Sequence, residues 1–392
     1  MSAIQKFGSG ADNSKVCPGV CSRGILPAAR LCSDVLTRRN TVKKSAGVLF
    51  AILVIATISS TAFAHPQGGA AAPIKVIFDT DFLVPPQDDG LALALALKSP
   101  ELQVLGITTV AGNGEMQQET ADALRELEIL GRSDIPVYMG AERPLVHQGT
   151  EWAQTVHGKW WSDAPPVAPP GGFAKAQAQK ESAVDFIIRT VNANPGQITI
   201  IAIGPLTNIA IAIRQSPGFA QKVKQINIMG GAIGSLDGGG GNVTPNAEFN
   251  FWVDPEAAQV VVRSGIPIKL TGLNVTRKTD FTKDWYDKIV AADTPLTRFL
   301  KERMDRGYAA NPNRRGGQMY DELTVASLID PTLVTSKDMY VDVDINHGPD
   351  YGVSVGALKT WEGGEGARQI SVQYDVDNDR FMKMYAERLA RK

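Results

Sequence analysis

Four carboxylates stand within eleven residues near the start of the main body of this chain: Asp79, Asp81, Asp88 and Asp89. An apolar run at 76–78 precedes them and reads as a buried strand, and residues 91–97, LALALAL, follow in strong helix formers. The local order is therefore strand, loop, helix, with acids at the C-terminal end of the strand, the edge at which open α/β sheets bind ligands. Like charges this close repel, and they stay ionised together most easily around a cation. A set of oxygen ligands suits a hard ion such as Ca²⁺ or Mg²⁺. The plain alternative is a solvated turn in which Asp88 or Asp89 caps the helix. Acid clusters of this DxD type occur in unrelated hydrolase classes, so their partners must be sought elsewhere in the chain.

Composition limits the partners. The chain has 392 residues, 43% apolar and 21% charged, an ordinary globular balance with room for one large α/β domain or two smaller ones. Residues 1–64 hold eight of the 40 basic residues and two of the 41 acidic ones, which leaves the body with 32 and 39, a net charge of −7. An acidic body without a basic patch argues against nucleic-acid polymers as ligands. Cys17, Cys21 and Cys32 all lie in the first 64 residues, so the body has neither disulfides nor thiolate ligands.

The first 36 residues show no periodicity. A basic stretch, TRRNTVK at 37–43, then precedes an apolar run at 46–58 and the triplet Ala62, Phe63, Ala64. Basic flank, short apolar core and AxA site make an export signal across 1–64, too short in its core for a comfortable membrane span. Arg38 and Arg39 fit a twin-arginine leader, although Thr41 departs from that pattern, and an ordinary Sec leader fits as well. Either route predicts a mature chain beginning near His65, periplasmic or secreted, with a linker at 65–73 and one catalytic domain over 74–392.

Within that domain, strands are expected at 103–109, 136–139, 197–203, 223–229 and 267–270, alternating with helices at 115–130, 181–192, 209–214 and 255–263. The alternation predicts an α/β fold with an open, mostly parallel, Rossmann-like sheet flanked by helices. The face of the 115–130 helix is expected at Ala121, Leu124, Leu127 and Leu130, and residues 282–306 read as helical throughout. Residues 140–180 are rich in Pro, Gly and Trp. A long segment of this kind with Trp152, Trp160 and Trp161 favours a functional lid, in which His157 is a ligand, a base contact or a plain surface histidine. A glycine-rich loop at 234–241 carries neither phosphate-binding pattern, GxxxxGK[ST] or GxGxxG between strand and helix. It runs into NVTPNAEFNFWVDPEAA, where Asn242, Glu248 and Asn250 offer short polar groups able to share sugar hydroxyls, or simply form turns.

Taken together, VIFDTD…DDGLALALAL, GITTVAGN, GPLTNIA, IMGGA, GNVTPNAEFNFWVDPEAA, TGLNVT and YDELTVASLIDPTL resemble the inosine–uridine nucleoside hydrolase family, in order, over about the whole body of the chain. The resemblance implies hydrolysis of the N-glycosidic bond of ribonucleosides to ribose and free base, a bound Ca²⁺, and a homo-oligomer, dimer or tetramer. By similarity Asp81 is the general base that activates the attacking water. Asp81, Asp89, Asp321 and the carbonyl of Ile203 hold the ion. Asp88, Asn113, Asn242, Glu248 and Asn250 bind the ribose, Met229 and Phe249 line the pocket, and His157 lies near the base. A small-molecule ribonucleoside is then the partner, with no membrane span after processing.

Two departures from the family pattern stand out. Six residues, 82–87, separate Asp81 from Asp88 where the family usually has fewer; extra residues that bulge outward leave Asp88 and Asp89 in their places, and a different course puts the assignments of those two acids in question. Tyr320 stands where many members have a histidine that protonates the leaving base. A phenol is a poor acid at neutral pH but a good stacking surface, alone or with Trp160 or Trp161, which inclines the expectation slightly towards purine ribosides. Two other chemistries compete: a phosphohydrolase with Asp79 as nucleophile, and a non-catalytic nucleoside or sugar receptor that does not need Asp81.

Overall fold

The computed structural model describes residues 72–147, 164–311 and 316–391. The export region, His157 and the three tryptophans of the proposed lid lie outside the described residues. The chain opens with β1 (Ile74–Thr80), α1 (Asp88–Leu97), β2 (Leu102–Thr109), α2 (Met116–Ile129) and β3 (Val137–Met139). It continues through α3 (Ala183–Ala193), β4 (Thr199–Ala202), α4 (Thr207–Gln215), α5 (Phe219–Lys222), β5 (Gln225–Met229), α6 (Phe249–Val253), α7 (Pro255–Val262) and β6 (Ile268–Thr271). The last part comprises α8 (Leu273–Thr276), α9 (Lys283–Val290), α10 (Pro295–Ala310), α11 (Asp321–Ile329), β7 (Val334–Val343), β8 (Ser354–Ala357), β9 (Arg368–Val376) and α12 (Asn378–Leu389).

These strands form one nine-stranded sheet in the order β3-β2-β1-β4-β5-β6-β9-β7-β8. Pairing is parallel from β3 to β9, and β7 joins β9 and β8 antiparallel. Helices cover both faces, which is why the central strands are apolar on both sides. In β1, Val76 and Phe78 enter one core with α1, α11 and α12, whereas Ile77 enters the other with α3, α4 and α7. The expected α/β architecture is therefore present. From β1 the chain runs outward through β2 to β3, then returns to the other side of β1 as β4. That reversal opens a crevice beyond the C-terminal ends of β1 and β4, the place where doubly wound sheets take ligands.

Several expectations are refined. Helix α1 begins at Asp88, three residues earlier than its apolar run, with both acids in the first turn. Of the expected face of α2, Ala121 and Leu127 are buried and Leu124 and Leu130 pack partly buried against the core, and the buried side extends to Met116, Glu119, Thr120, Asp122, Ala123 and Glu126. The helical stretch at 282–306 is two helices, because Asp293 takes a left-handed φ of 49° and Thr294 starts α10 with a reciprocal capping box ahead of Pro295.

The insertion at 82–87 does not bulge outward. Phe82 is fully buried and Val84 nearly so, and both join the core that packs on α1. Pro85 closes against Gly90 of α1, where a Cβ would stand 2.4 Å from its Cδ. The loop thus packs inward and still delivers Asp88 to the start of α1. Phe82→Ala is expected to cost about 3 kcal/mol or more of stability, as for other fully buried aromatics, in urea unfolding of the purified chain. A cost below about 1 kcal/mol, the level of ordinary surface changes, would mean that the loop is not part of the core.

Candidate active site

Asp81 leaves the end of β1 and is almost fully buried. Its Oδ2 accepts from the backbone N–H of Asn113 at 2.9 Å, and Asn113 Nδ2 donates to the Asp81 carbonyl at 3.1 Å and to Asp89 Oδ2 at 3.0 Å. Thr80 Oγ1 donates to the other oxygen of Asp89 at 2.6 Å. Two glycines make room for Asp81. A Cβ on Gly112 would lie 2.2 Å from its Oδ2, and one on Gly204 would lie 2.7 Å from its backbone nitrogen. These glycines belong to the loops that follow β2 and β4, so both neighbours of β1 shape the same carboxylate.

The remaining acids arrive on helix N-termini. Asp88 and Asp89 occupy the first turn of α1, and Asp321 with Glu322 the first turn of α11. Each of Asp88, Asp89 and Asp321 offers a carboxylate oxygen, and these oxygens lie within 4.8 Å of one another. Positive helix ends favour acids there but do not cancel their repulsion. Burial, followed by the charges of Asp81 and Asp88, pushes Asp89 well above the usual carboxylate range. Asp321 is raised by burial and then by Asp88 and Asp89, and Asp81 by burial and by Asp88 and Glu248. A buried, all-oxygen acid set whose members raise one another fits a hard cation, which would favour their charged forms. The expected cation ligands Asp89 and Asp321 are thus together. Asp88, expected at the ribose, belongs to the same triad, and Asp81 stands beside it.

A cavity of about 200 Å³ opens over this group at the crevice, and Asp81, Asp88 and Asp321 reach it. Asn113, Ile203, Met229, Asn242, Glu248, Phe249, Asn250 and Tyr320 also line it, as does Val243, which sequence reasoning missed. Asp89 lies behind the wall.

The polar groups are oriented by the protein. Asn250 donates to the carbonyls of Ile203 at 3.0 Å and Met229 at 3.2 Å, which leaves its Oδ1 to accept. Glu248 caps α6, accepting from Asn250 N at 3.0 Å, Phe251 N at 3.1 Å and Gly231 N at 2.8 Å. Asn242 Oδ1 accepts from Phe249 N at 2.9 Å, so its amide N–H groups remain to donate. The cavity therefore presents acceptors with one interspersed donor, a pattern that suits a polyol.

Two further acids complete the picture. Asp79 faces the sheet and not the cavity: its Oδ2 accepts from Thr108 Oγ1 at 2.5 Å and Asn208 Nδ2 at 2.9 Å, and burial holds its pKa up at about 7. It ties β1 to β2 and α4, a position unsuited to a nucleophile. Glu119, also missed, accepts from the backbone N–H groups of Gly112 at 3.2 Å and Gly114 at 2.8 Å and so fixes the loop that carries Asn113. Nothing in the sequence marked it, since the apolar face read for this helix is Ala121, Leu124, Leu127 and Leu130.

The sequence profile of the inosine–uridine preferring nucleoside hydrolases matches residues 76–383. The chain belongs to this family. It is 37% identical over 287 residues to the pyrimidine-specific ribonucleoside hydrolase RihB of Escherichia coli (strain K12 / DH10B), covering 72% of this chain and 86% of that protein. Its fold matches a plant nucleoside hydrolase, the PpNRh1 enzyme, with a TM-score of 0.69 at 33% identity over 82% of this chain and all of the other. A purine-preferring ribonucleoside hydrolase from Gardnerella vaginalis superposes with a TM-score of 0.67 at 32% identity, over 81% and 98% of the two chains. The chain is thus an N-ribosyl hydrolase acting on small-molecule nucleosides, as its motifs implied. Among the described residues no helix is long and apolar enough to cross a membrane.

The glycines beside Asp81 give a direct test. Gly112→Ala is expected to lower kcat for ribonucleoside hydrolysis by about 10²-fold, the scale of an ångström's misplacement of a reacting group, in steady-state assays. An unchanged kcat would show that Asp81 tolerates displacement and does not act on the reacting atoms.

Proposed function

We propose that this chain is an exported, Ca²⁺-dependent ribonucleoside hydrolase that favours purine ribosides. The observation that carries the reading is the meeting, in one buried cavity at the crevice, of a cation-suited acid group with side chains turned to bind a polyol. Asp81, Asp89 and Asp321 with the Ile203 carbonyl would hold the ion, and Asp88 is close enough to share that task. When bound, such an ion makes a nearby water more acidic and draws in vicinal hydroxyls, which favours ribose over deoxyribose. Asp88, Asn113, Asn242, Glu248 and Asn250 bind the sugar hydroxyls, and Met229 and Phe249 form the apolar wall.

The reaction places water oxygen on the anomeric carbon, breaks the bond from that carbon to the base nitrogen, and leaves the base to take a proton. Asp81 accepts the proton of the attacking water. Positive charge develops on the ribosyl ring as the base departs, and the surrounding carboxylates and amide oxygens stabilise it. Tyr320 is a poor acid for the leaving base, since burial and then the charge of Asp88 raise its phenol above the ordinary value. Its hydroxyl donates to Gln318 Oε1 at 2.5 Å, which steadies a ring at the cavity wall. A purine offers such a ring more stacking surface than a pyrimidine. The Gardnerella relative is named for purines and RihB for pyrimidines, so the preference rests on Tyr320.

Base release from inosine, adenosine, guanosine, uridine and cytidine, with and without a chelator, tests the reading. Activity should vanish on chelation and return with Ca²⁺ but not Mg²⁺, and Asp81→Asn should lower kcat by about 10³-fold. Tyr320→Ala should reduce kcat/KM for inosine about tenfold and for uridine less, in line with a lost stacking contact. Chelator-resistant turnover would overturn the cation, and equal losses on both substrates the base preference.

The export leader and a dimeric or tetrameric state complete the proposal. N-terminal sequencing of the extracytoplasmic protein should start near His65, and light scattering should give a multiple of the chain mass. A cytoplasmic protein retaining residues 1–64, or a monomer, would sink the respective part.

A further inference from the structure

The glycine-rich loop at 234–241 has no phosphate-binding pattern, and the chemistry above leaves it without a task. It leads directly into Asn242 and Val243, both on the cavity wall. Its glycines are needed for close packing. A Cβ on Gly239 would stand 2.2 Å from the Ile233 carbonyl oxygen, one on Gly241 would stand 2.3 Å from those of Thr244 and Ala247, and Gly238 takes a φ of 72°. A loop so rich in glycine has much conformational freedom to lose, and its order must come from outside it.

That order comes from one short helix. Asn274 of α8 accepts from Ile233 N at 2.8 Å and donates to the carbonyls of Ile233 at 3.1 Å and Asp237 at 3.0 Å, gripping the entry. Arg277, just after α8, grips the exit. Its Nη1 donates to the carbonyls of Gly238 at 2.5 Å and Gly240 at 2.6 Å, and its Nη2 to that of Gly241 at 2.8 Å. The same guanidinium lies near enough to Tyr320 to act on its charge.

We propose that Arg277 is a positioning residue for substrate binding: with Asn274 it clamps the glycine loop so that Asn242 and Val243 form a ready-made wall of the nucleoside pocket. The inference rests on the hydrolase reading of that pocket. A planar fork with several donors can hold three carbonyls at once, and an ammonium on a flexible stem cannot hold them in the same fixed geometry. Because the clamp touches neither the acid group nor the reacting atoms, its loss falls on binding.

The test compares Arg277→Met and Arg277→Lys with the parent chain in Ca²⁺, using inosine and uridine. The expected result is a KM about tenfold higher for Arg277→Met, the size of a lost binding contribution, with kcat within about threefold, and a smaller rise for Arg277→Lys. Limited proteolysis should find new cleavage within 234–241 of Arg277→Met, and added guanidinium ion should lower the KM of Arg277→Ala. An unchanged KM in a folded Arg277→Met protein would overturn the clamp, as would a fall in kcat alone. If Arg277→Met does not fold, Arg277→Lys and the guanidinium titration decide by the same criteria. A parent chain inactive on all nucleosides would instead refute the hydrolase reading, and the proteolysis comparison would still report on the clamp.

Discussion

Like charge buried in a small volume is the constraint around which this molecule is built. Asp81, Asp89, Asp321, Glu248 and Glu119 are all removed from water, and burial leads the causes that raise each of them. An uncompensated charge in such surroundings is strongly destabilising. Part of the compensation is structural: the N-termini of α1 and α11 deliver Asp89 and Asp321, backbone N–H groups bond Asp81, Glu119 and Glu248, and asparagine amides supply further donors. The remainder is the kind of deficit that a hard cation fills. A fold with other priorities would put apolar residues there, so the arrangement makes sense as a site held ready for charge.

Asparagine is the second recurring device. Asn113, Asn242 and Asn250 each commit one part of their amide to the protein and leave the other towards the cavity. The commitment fixes which end faces a ligand, and a fixed orientation lowers the ordering cost of binding. Asn208 and Asn274 use the same chemistry away from the cavity. Asn208 joins Asp79 to the Thr109 carbonyl, and Asn274 holds the entry of the glycine loop. Loops carry most of the functional groups here, yet hydrogen bonds from neighbouring elements make those loops as specified as the strands they follow.

The departures from the family pattern are absorbed in two ways. The six residues between Asp81 and Asp88 turn inward as core, and a glycine in α1 gives Pro85 the space to do so. Tyr320 retains a place on the wall as an aromatic side chain, its phenol raised above the ordinary value by burial and then by Asp88. One change is accommodated by packing and leaves the acids together. The other leaves an aromatic ring on the cavity wall.

The sequence alone determined the alternation of strands and helices, the placing of acids after a buried strand, and the motif order that marks the family, because periodicity, turn chemistry and local spacing are written along the chain. Nearly all the residues expected at the site from those motifs meet in one cavity. Tertiary structure decided what depended on neighbours distant in sequence. The insertion at 82–87 is mostly apolar and holds two prolines, but its direction depended on whether α1 and the core could accept Phe82 and Val84. Asp88 joins Asp89 and Asp321 because α1 and α11 point their first turns at the same place, which no local spacing reveals. Which side Glu119 of α2 faced was decided only by packing. The glycine loop looked like a phosphate cradle without its motif until Asn274 and Arg277, more than thirty residues downstream, were seen to hold it. Local pattern sets elements; only packing sets which side of an element is buried and which remote side chain completes a site.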